Sequence, residues 1–268
     1  MSEPLAAQTN ASVPQPKSGA ARRFLQIVLF YLWWIGSLFL AAGRLDWIRG
    51  WISVALTVIA MTIVGAVVHH YNAPLMEARA KWPRKDTKPF DKVFLAIYMP
   101  IVFIHPMVAG LDAVRYHWSS TPFAFVYVGA ILFALAMVLI AWVMMVNPFA
   151  ETSVRIQTDR GHTVVTSGPY RIVRHPMYLG AILMYTATSL VWGSVWALVL
   201  AALIAGLMIW RTSREDQTLR QSLPATKNTP LARAIVCCQD CGELECERIS
   251  ANPEHRGLNV RTEAEMGT

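Results

Sequence analysis

MYLGAILMYTATSLVWGSVWALVLAALIAGLMIW, Met177 to Trp210, is an apolar run of 34 residues without a charge. As one α-helix it would be about 51 Å long at 1.5 Å per residue, too long for a single crossing of ~30 Å of hydrocarbon. A helical hairpin folded at Val191-Trp192-Gly193-Ser194 is the better reading. Its arms are slightly short for full spans, and one tilted, partly protruding helix is the alternative.

Upstream of this run, four further stretches are long and apolar enough to cross a bilayer: Phe24 to Ala42, Trp51 to Val68, Val93 to Leu111 and Pro122 to Val146. The chain is 54% hydrophobic and only 15% charged, with positive mean hydropathy, and this places it among polytopic membrane proteins. The predicted fold is all-α: four transmembrane helices plus a C-terminal helical hairpin, five to six spans in a single membrane domain over residues 22–224. No fixed-period repeat is visible.

Residues 1–21 are polar and rich in Ala, Ser, Pro and Gln, and read as a disordered N-terminus. The apolar run after Arg22-Arg23 exceeds the usual core of a signal peptide and reads as an uncleaved anchor. With the N-terminus in the cytoplasm, the outer loops hold only Arg44, Arg49 and Arg115, and the other 16 basic residues before position 225 lie inside. That asymmetry predicts a bacterial inner-membrane protein with its N-terminus cytoplasmic. It also explains the basic stretch from Tyr71 to Lys92, read as a cytoplasmic loop, and nothing there calls for nucleic acid.

The segment before the hairpin, SGPYRIVRHPMYLG from Ser167 to Gly180, packs specialised residues into the membrane boundary. Gly168-Pro169 and His175-Pro176 bend the backbone, because proline lacks an N–H and disfavours helix at the preceding residue. Pro176 suits the first turn of the next helix, which predicts free amides at Met177 to Leu179 able to receive an anionic group, flanked by Arg174 and His175. Tyr178 offers an aromatic face to a planar or cationic group, and Gly180 allows close approach. Ordinary helix ends with interfacial side chains are the bland alternative.

GPYRIVRHPMYLG, with RIQTDRGHTVVTSGPY before it and REDQTLR at Arg214 to Arg220, resembles the isoprenylcysteine carboxyl methyltransferase family. GRLDWIRGW from Gly43 and NAPLMEARAKWPRKDTKPFDKVFL from Asn72 resemble the N-terminal half of its bacterial members. The resemblance implies a helical membrane enzyme that binds S-adenosylmethionine at the cytoplasmic face. It implies a cofactor pocket containing Gly168, Pro169, Tyr170, His175, Pro176, Tyr178, Gly180, Glu215 and Asp216, with Arg174 and Glu215 in catalytic positions. Asp216 departs from the family's second Glu. The implied reaction is in-line methyl transfer to an amphipathic or lipid acceptor, a carboxylate of isoprenylcysteine type or a lipid amine. No metal is required. A nicotinamide-dependent reductase of sterol or other isoprenoid lipids is the second reading, and a non-catalytic membrane protein the third.

Past Pro224 the resemblance stops. Residues 225–268 hold all four cysteines, Cys237, Cys238, Cys241 and Cys246, and seven acids against five basic residues, whereas residues 1–224 carry 19 basic and 10 acidic residues, or +9. The cysteine spacing fits no familiar zinc knuckle. Read from the last base of the Pro224 codon, with the free bases chosen within the code's degeneracy, the same nucleotides can spell GYEEYAARTRYRLLPGLW and then a stop, the family's ending. Residues 225–268 are accordingly read as a frameshifted, disordered tail.

Among the remaining residues, His105 sits mid-span and reads as a neutral histidine bonded inside the bundle, with a functional site as the alternative. Trp33, Trp34, Trp47, Trp51, Trp192 and Trp196 lie near predicted interfaces and suggest an aromatic belt.

Overall fold

The computed structural model describes residues 18–80, 87–154 and 165–222. Every regular element among them is helical: α1 (Ser18–Ala42), α2 (Ile48–Ala80), α3 (Pro89–Gly110) running into a π turn at Leu111–Arg115, α4 (Ala124–Val146), a 3₁₀ turn at Gly168–Arg171, α5 (Pro176–Trp192) and α6 (Val195–Ser222). All but α5 are long and apolar enough to cross a membrane. The chain is thus an all-α polytopic membrane protein.

The 34-residue run is two helices. α5 stops at Trp192 because Gly193 takes a left-handed conformation, φ 76°, and its N–H caps the carbonyls of Leu190 and Ser189. α6 starts at Val195, with the Ser194 hydroxyl accepting from the Ala197 N–H at 3.0 Å. One carboxylate oxygen of buried Asp112 gathers the Ser119 hydroxyl (2.7 Å), the Ser194 hydroxyl (2.5 Å) and the Trp196 N–H (3.2 Å) around this turn. The reversal is therefore held by polar bonds that a continuous helix could not make.

α4 packs against α5 and α2, α3 lies between α1 and α6, and α5 closes onto α6. Val64, Val68, Leu75, Phe133, Met137 and Ala187 form the core between α2, α4 and α5. Phe94, Ile204 and Met208 form another between α3 and α6, with Tyr178 and Tyr185 of α5 against it. His105 bonds Ser189 through Nε2 at 2.9 Å and meets the Tyr185 ring edge-on and the Trp192 ring at a tilt, a structural role inside the bundle.

Three expectations need correction. The stretch from Tyr71 is not simply a loop. α2 breaks at Asn72 (φ −150°, ψ 55°) and resumes as helix to Ala80. Pro74 cannot donate to the carbonyl four residues back, and the Asn72 amide instead bonds the Met144 carbonyl at 2.8 Å, while Leu75 and Ala78, three apart, bury one face. The N-terminal helix begins at Ser18, inside the stretch read as disordered, and residues 1–17 lie outside the described residues, as does the tail from 223. Trp47 and Trp192 are not in a belt. Both are buried, and the Trp192 indole donates to the Ser53 hydroxyl at 2.8 Å, so its polar edge is satisfied inside the protein.

Candidate active site

The helices alternate in direction, so the segment after α4, the start of α5 and the end of α6 meet at one end of the bundle. Each local bend has a cause. Gly168 has φ 58°, and a Cβ there would lie 3.1 Å from the Trp142 indole nitrogen and 3.2 Å from a Val146 methyl, so a side chain would strain the backbone and crowd α4. Buried Pro169 opens the 3₁₀ turn, and its carbonyl accepts from the N–H groups of Ile172 and Val173. Tyr170 is thereby aimed back at α4, where its hydroxyl accepts from Asn147 Nδ2 at 2.5 Å. Burial pushes the Tyr170 phenol above its ordinary pKa and keeps it neutral, against the opposing pull of the Asn147 bond.

Pro176 stands at the first position of α5 as expected, but two of the three amides behind it are already engaged. The N–H groups of Tyr178 and Leu179 both bond the His175 carbonyl, at 3.1 and 3.3 Å, so the helix closes its own first turn and offers an anion less than the sequence suggested. Gly180 likewise serves packing. A Cβ there would lie 2.7 Å from the Ile140 side chain of α4, so the close approach it permits is between helices.

The polar centre joins residues about 40 positions apart. His175 Nε2 lies 2.7 Å from Asp216 Oδ1, and its Nδ1 lies 3.8 Å from Glu215 Oε2. The Tyr178 hydroxyl donates to Glu215 Oε2 at 2.5 Å, and the Tyr178 and His175 rings stack with centroids 5.5 Å apart, nearly parallel. Arg174 Nη1 stands 3.9 Å from the other Asp216 oxygen. Burial works to lower the His175 pKa, but the Asp216 hydrogen bond and the charges of Glu215 and Asp216 outweigh it, so the imidazole titrates above its ordinary value. Of the site residues expected from the sequence, Arg174, His175, Tyr178, Glu215 and Asp216 form this cluster, Tyr170 stands at its margin, and Gly168, Pro169, Pro176 and Gly180 shape the backbone that carries it.

Two charged residues in the floor of this cluster were not singled out in the sequence. Asp91 of α3 is fully buried, and Arg211 of α6 places Nε 2.8 Å from its Oδ1, an ion contact without hydrogen-bond alignment. The other Asp91 oxygen accepts from the Val154 N–H at 2.8 Å, and Arg211 Nη2 donates to the Thr152 carbonyl at 3.0 Å. In the sequence each stands just outside an apolar run, Asp91 before Val93 and Arg211 after Trp210, where a charge is ordinary. Beside the cluster, on the neighbouring face of α6, a groove of about 390 Å³ is lined by Phe90, Val93, Trp210, Arg214, Gln217 and Thr218.

The site is thus a corner of carboxylates, histidine, arginine and stacked aromatic rings set into the end of a helical membrane bundle. Residues 124–225, from the start of α4 to just past α6, match the family model for phospholipid methyltransferases, a family of the isoprenylcysteine carboxyl methyltransferase clan. The match, in a chain with five helices long and apolar enough to cross a membrane, supports a membrane methyltransferase. No curated protein matches the chain.

Proposed function

We propose that the protein transfers a methyl group from S-adenosylmethionine to an amphipathic acceptor, on the cytoplasmic side of a bacterial inner membrane. The observation that carries this reading is the meeting of His175 and Tyr178, at the start of α5, with Glu215 and Asp216, at the end of α6. The donor set suits the cofactor. Glu215 and Asp216 are fitted to its cationic and hydroxyl groups, Arg174 to its carboxylate, and the stacked His175 and Tyr178 rings to a planar or cationic face. When bound, S-adenosylmethionine supplies an electrophilic methyl group whose departure leaves the bonding electron pair on sulfur.

The protein's part is alignment and exclusion of water. Tyr178 fixes one oxygen of Glu215, leaving that carboxylate directed by a hydrogen bond rather than by solvent. A carboxylate acceptor of isoprenylcysteine type is already ionised and needs no base. With an amine acceptor, such as the headgroup of a phospholipid, Glu215 receives the proton released as the N–CH₃ bond forms. The groove at Phe90, Val93 and Trp210 has aromatic and aliphatic walls on one side and Arg214, Gln217 and Thr218 on the other, which suits an acceptor that arrives from the bilayer with a polar head.

Calorimetry on the purified chain tests the reading. S-adenosylmethionine binds the wild type, and Asp216→Ala weakens binding at least about tenfold while the protein stays folded. A folded wild type that ignores S-adenosylmethionine but binds NADPH would replace this reading with the reductase.

A further inference from the structure

The buried Asp91–Arg211 pair has no task in the chemistry proposed above, yet it lies against the residue that orients Glu215. The Arg211 guanidinium lies 5.1 Å from the centre of the Tyr178 ring and 4.5 Å from that of Phe94, so two aromatic rings from different helices bracket one cation. It is bound at the same time to Asp91 of α3 and to the Thr152 carbonyl of the segment that follows α4. Arg211 and Glu215 are four residues apart on α6 and therefore share a helix face, and Tyr178 touches both, through its ring and through its hydroxyl.

A buried ion pair is a poor device for stability alone, because desolvating two charges offsets most of their attraction, and well-packed apolar residues of the same volume commonly serve as well. A planar cation is nevertheless the group that can accept a ring on its face and hold hydrogen-bond acceptors in its plane, which lysine cannot do. We propose that Arg211, anchored by Asp91, is a positioning residue: it fixes the Tyr178 ring so that the phenol hydroxyl holds Glu215 in its working orientation. The inference rests on the methyltransferase reading for its kinetic consequence, and on geometry alone for its structural one.

The test separates the two. Full-length protein labelled with 3-fluorotyrosine gives a Tyr178 fluorine signal identified by its loss in Tyr178→Phe. That signal shifts or broadens in Arg211→Lys and in the charge-neutral pair Asp91→Asn with Arg211→Gln, while a distant tyrosine such as Tyr127 is unmoved. Transfer of labelled methyl from S-adenosylmethionine into a host lipid extract is then measured at saturating cofactor. Arg211→Lys lowers the turnover rate about tenfold or more with cofactor affinity within about twofold, and adding it to Tyr178→Phe costs less than a further twofold, because both act through one contact.

An unmoved Tyr178 signal in both Arg211 variants overturns the proposal even if the protein transfers no methyl group. So does an Arg211→Lys protein that is merely less abundant, with unchanged turnover per folded molecule, or losses that multiply in the double variant. A wild type that binds no S-adenosylmethionine sinks the methyltransferase reading and leaves the fluorine signal to decide the positioning role.

Discussion

His175 carries the sharpest electrostatic consequence at the scale of one residue. Its imidazole is largely buried, which alone would favour the neutral ring, yet Asp216 at 2.7 Å and Glu215 nearby hold its pKa above the ordinary histidine value. A raised folded pKa means that the charged ring stabilises the fold fully below the unfolded value of about 6.5, and that this contribution is lost as pH rises through the folded value. The gap in apparent unfolding temperature between wild type and His175→Gln should therefore be widest on the acid side and shrink as pH rises above about 6.5. A gap that stays level or widens over that range would show that the His175–Asp216 contact is not an ion pair. This residue was legible in the sequence because the bend on which it sits leaves a local trace of prolines and glycines. Arg211 and Asp91 were not, since their meaning comes from a contact 120 positions apart, between residues that each look like an ordinary interfacial charge.

Among the elements, the α5–α6 turn decides whether the carboxylates reach the site at all, because it alone returns the chain to the end where His175 lies. Gly193 is needed twice: for its left-handed φ of 76°, and because an added Cβ would collide with the Arg49 guanidinium and come within 2.6 Å of the Thr121 hydroxyl. Arg49 is held there by two bonds to Thr121, 2.8 Å to the hydroxyl and 2.7 Å to the carbonyl, so it cannot step aside without breaking them. Gly193→Ala should cost about 1–2 kcal/mol from backbone conformation alone. Spread over a domain of this size, that is a fall of roughly 2–8 °C in apparent unfolding temperature in detergent. A variant as stable as wild type would mean that the turn can relax without cost. The hairpin was readable from length, as 34 apolar residues exceed one crossing. The second segment of α2 was not, because its buried residues, Leu75 and Ala78, are set among charges in a stretch whose basic side chains suggested only a loop. The amides at the start of α5 were misjudged for a related reason: a proline at the first position announces a helix start, but whether the preceding carbonyl closes the first turn is a matter of backbone geometry.

For the whole molecule, the alternation of helices and the distribution of charge make one joint claim. The end of α2, the start of α3, the segment after α4 and the end of α6 all lie at the end that carries the site, as the contacts Arg79 to Ala150 and Arg211 to Asp91 require. The opposite end holds the turns at Gly43 to Trp47, Tyr116 to Phe123 and Gly193-Ser194, with Arg115 reaching the Leu40 carbonyl and Arg49 reaching Thr121. Basic residues near the spans concentrate at the site end, and the positive-inside rule predicts that this end faces the cytoplasm. The orientation is tested with single cysteines at the two ends of the bundle, in a protein whose Cys237, Cys238, Cys241 and Cys246 are replaced by serine. An impermeant maleimide applied to intact cells should label Ser120→Cys and leave Ile172→Cys, an exposed position at the site end, unmodified until the membrane is opened. Labelling of Ile172→Cys but not of Ser120→Cys on intact cells would invert the topology. The site would then face away from the compartment where S-adenosylmethionine is made, and the proposed activity would fail with the orientation, however well the cluster is built.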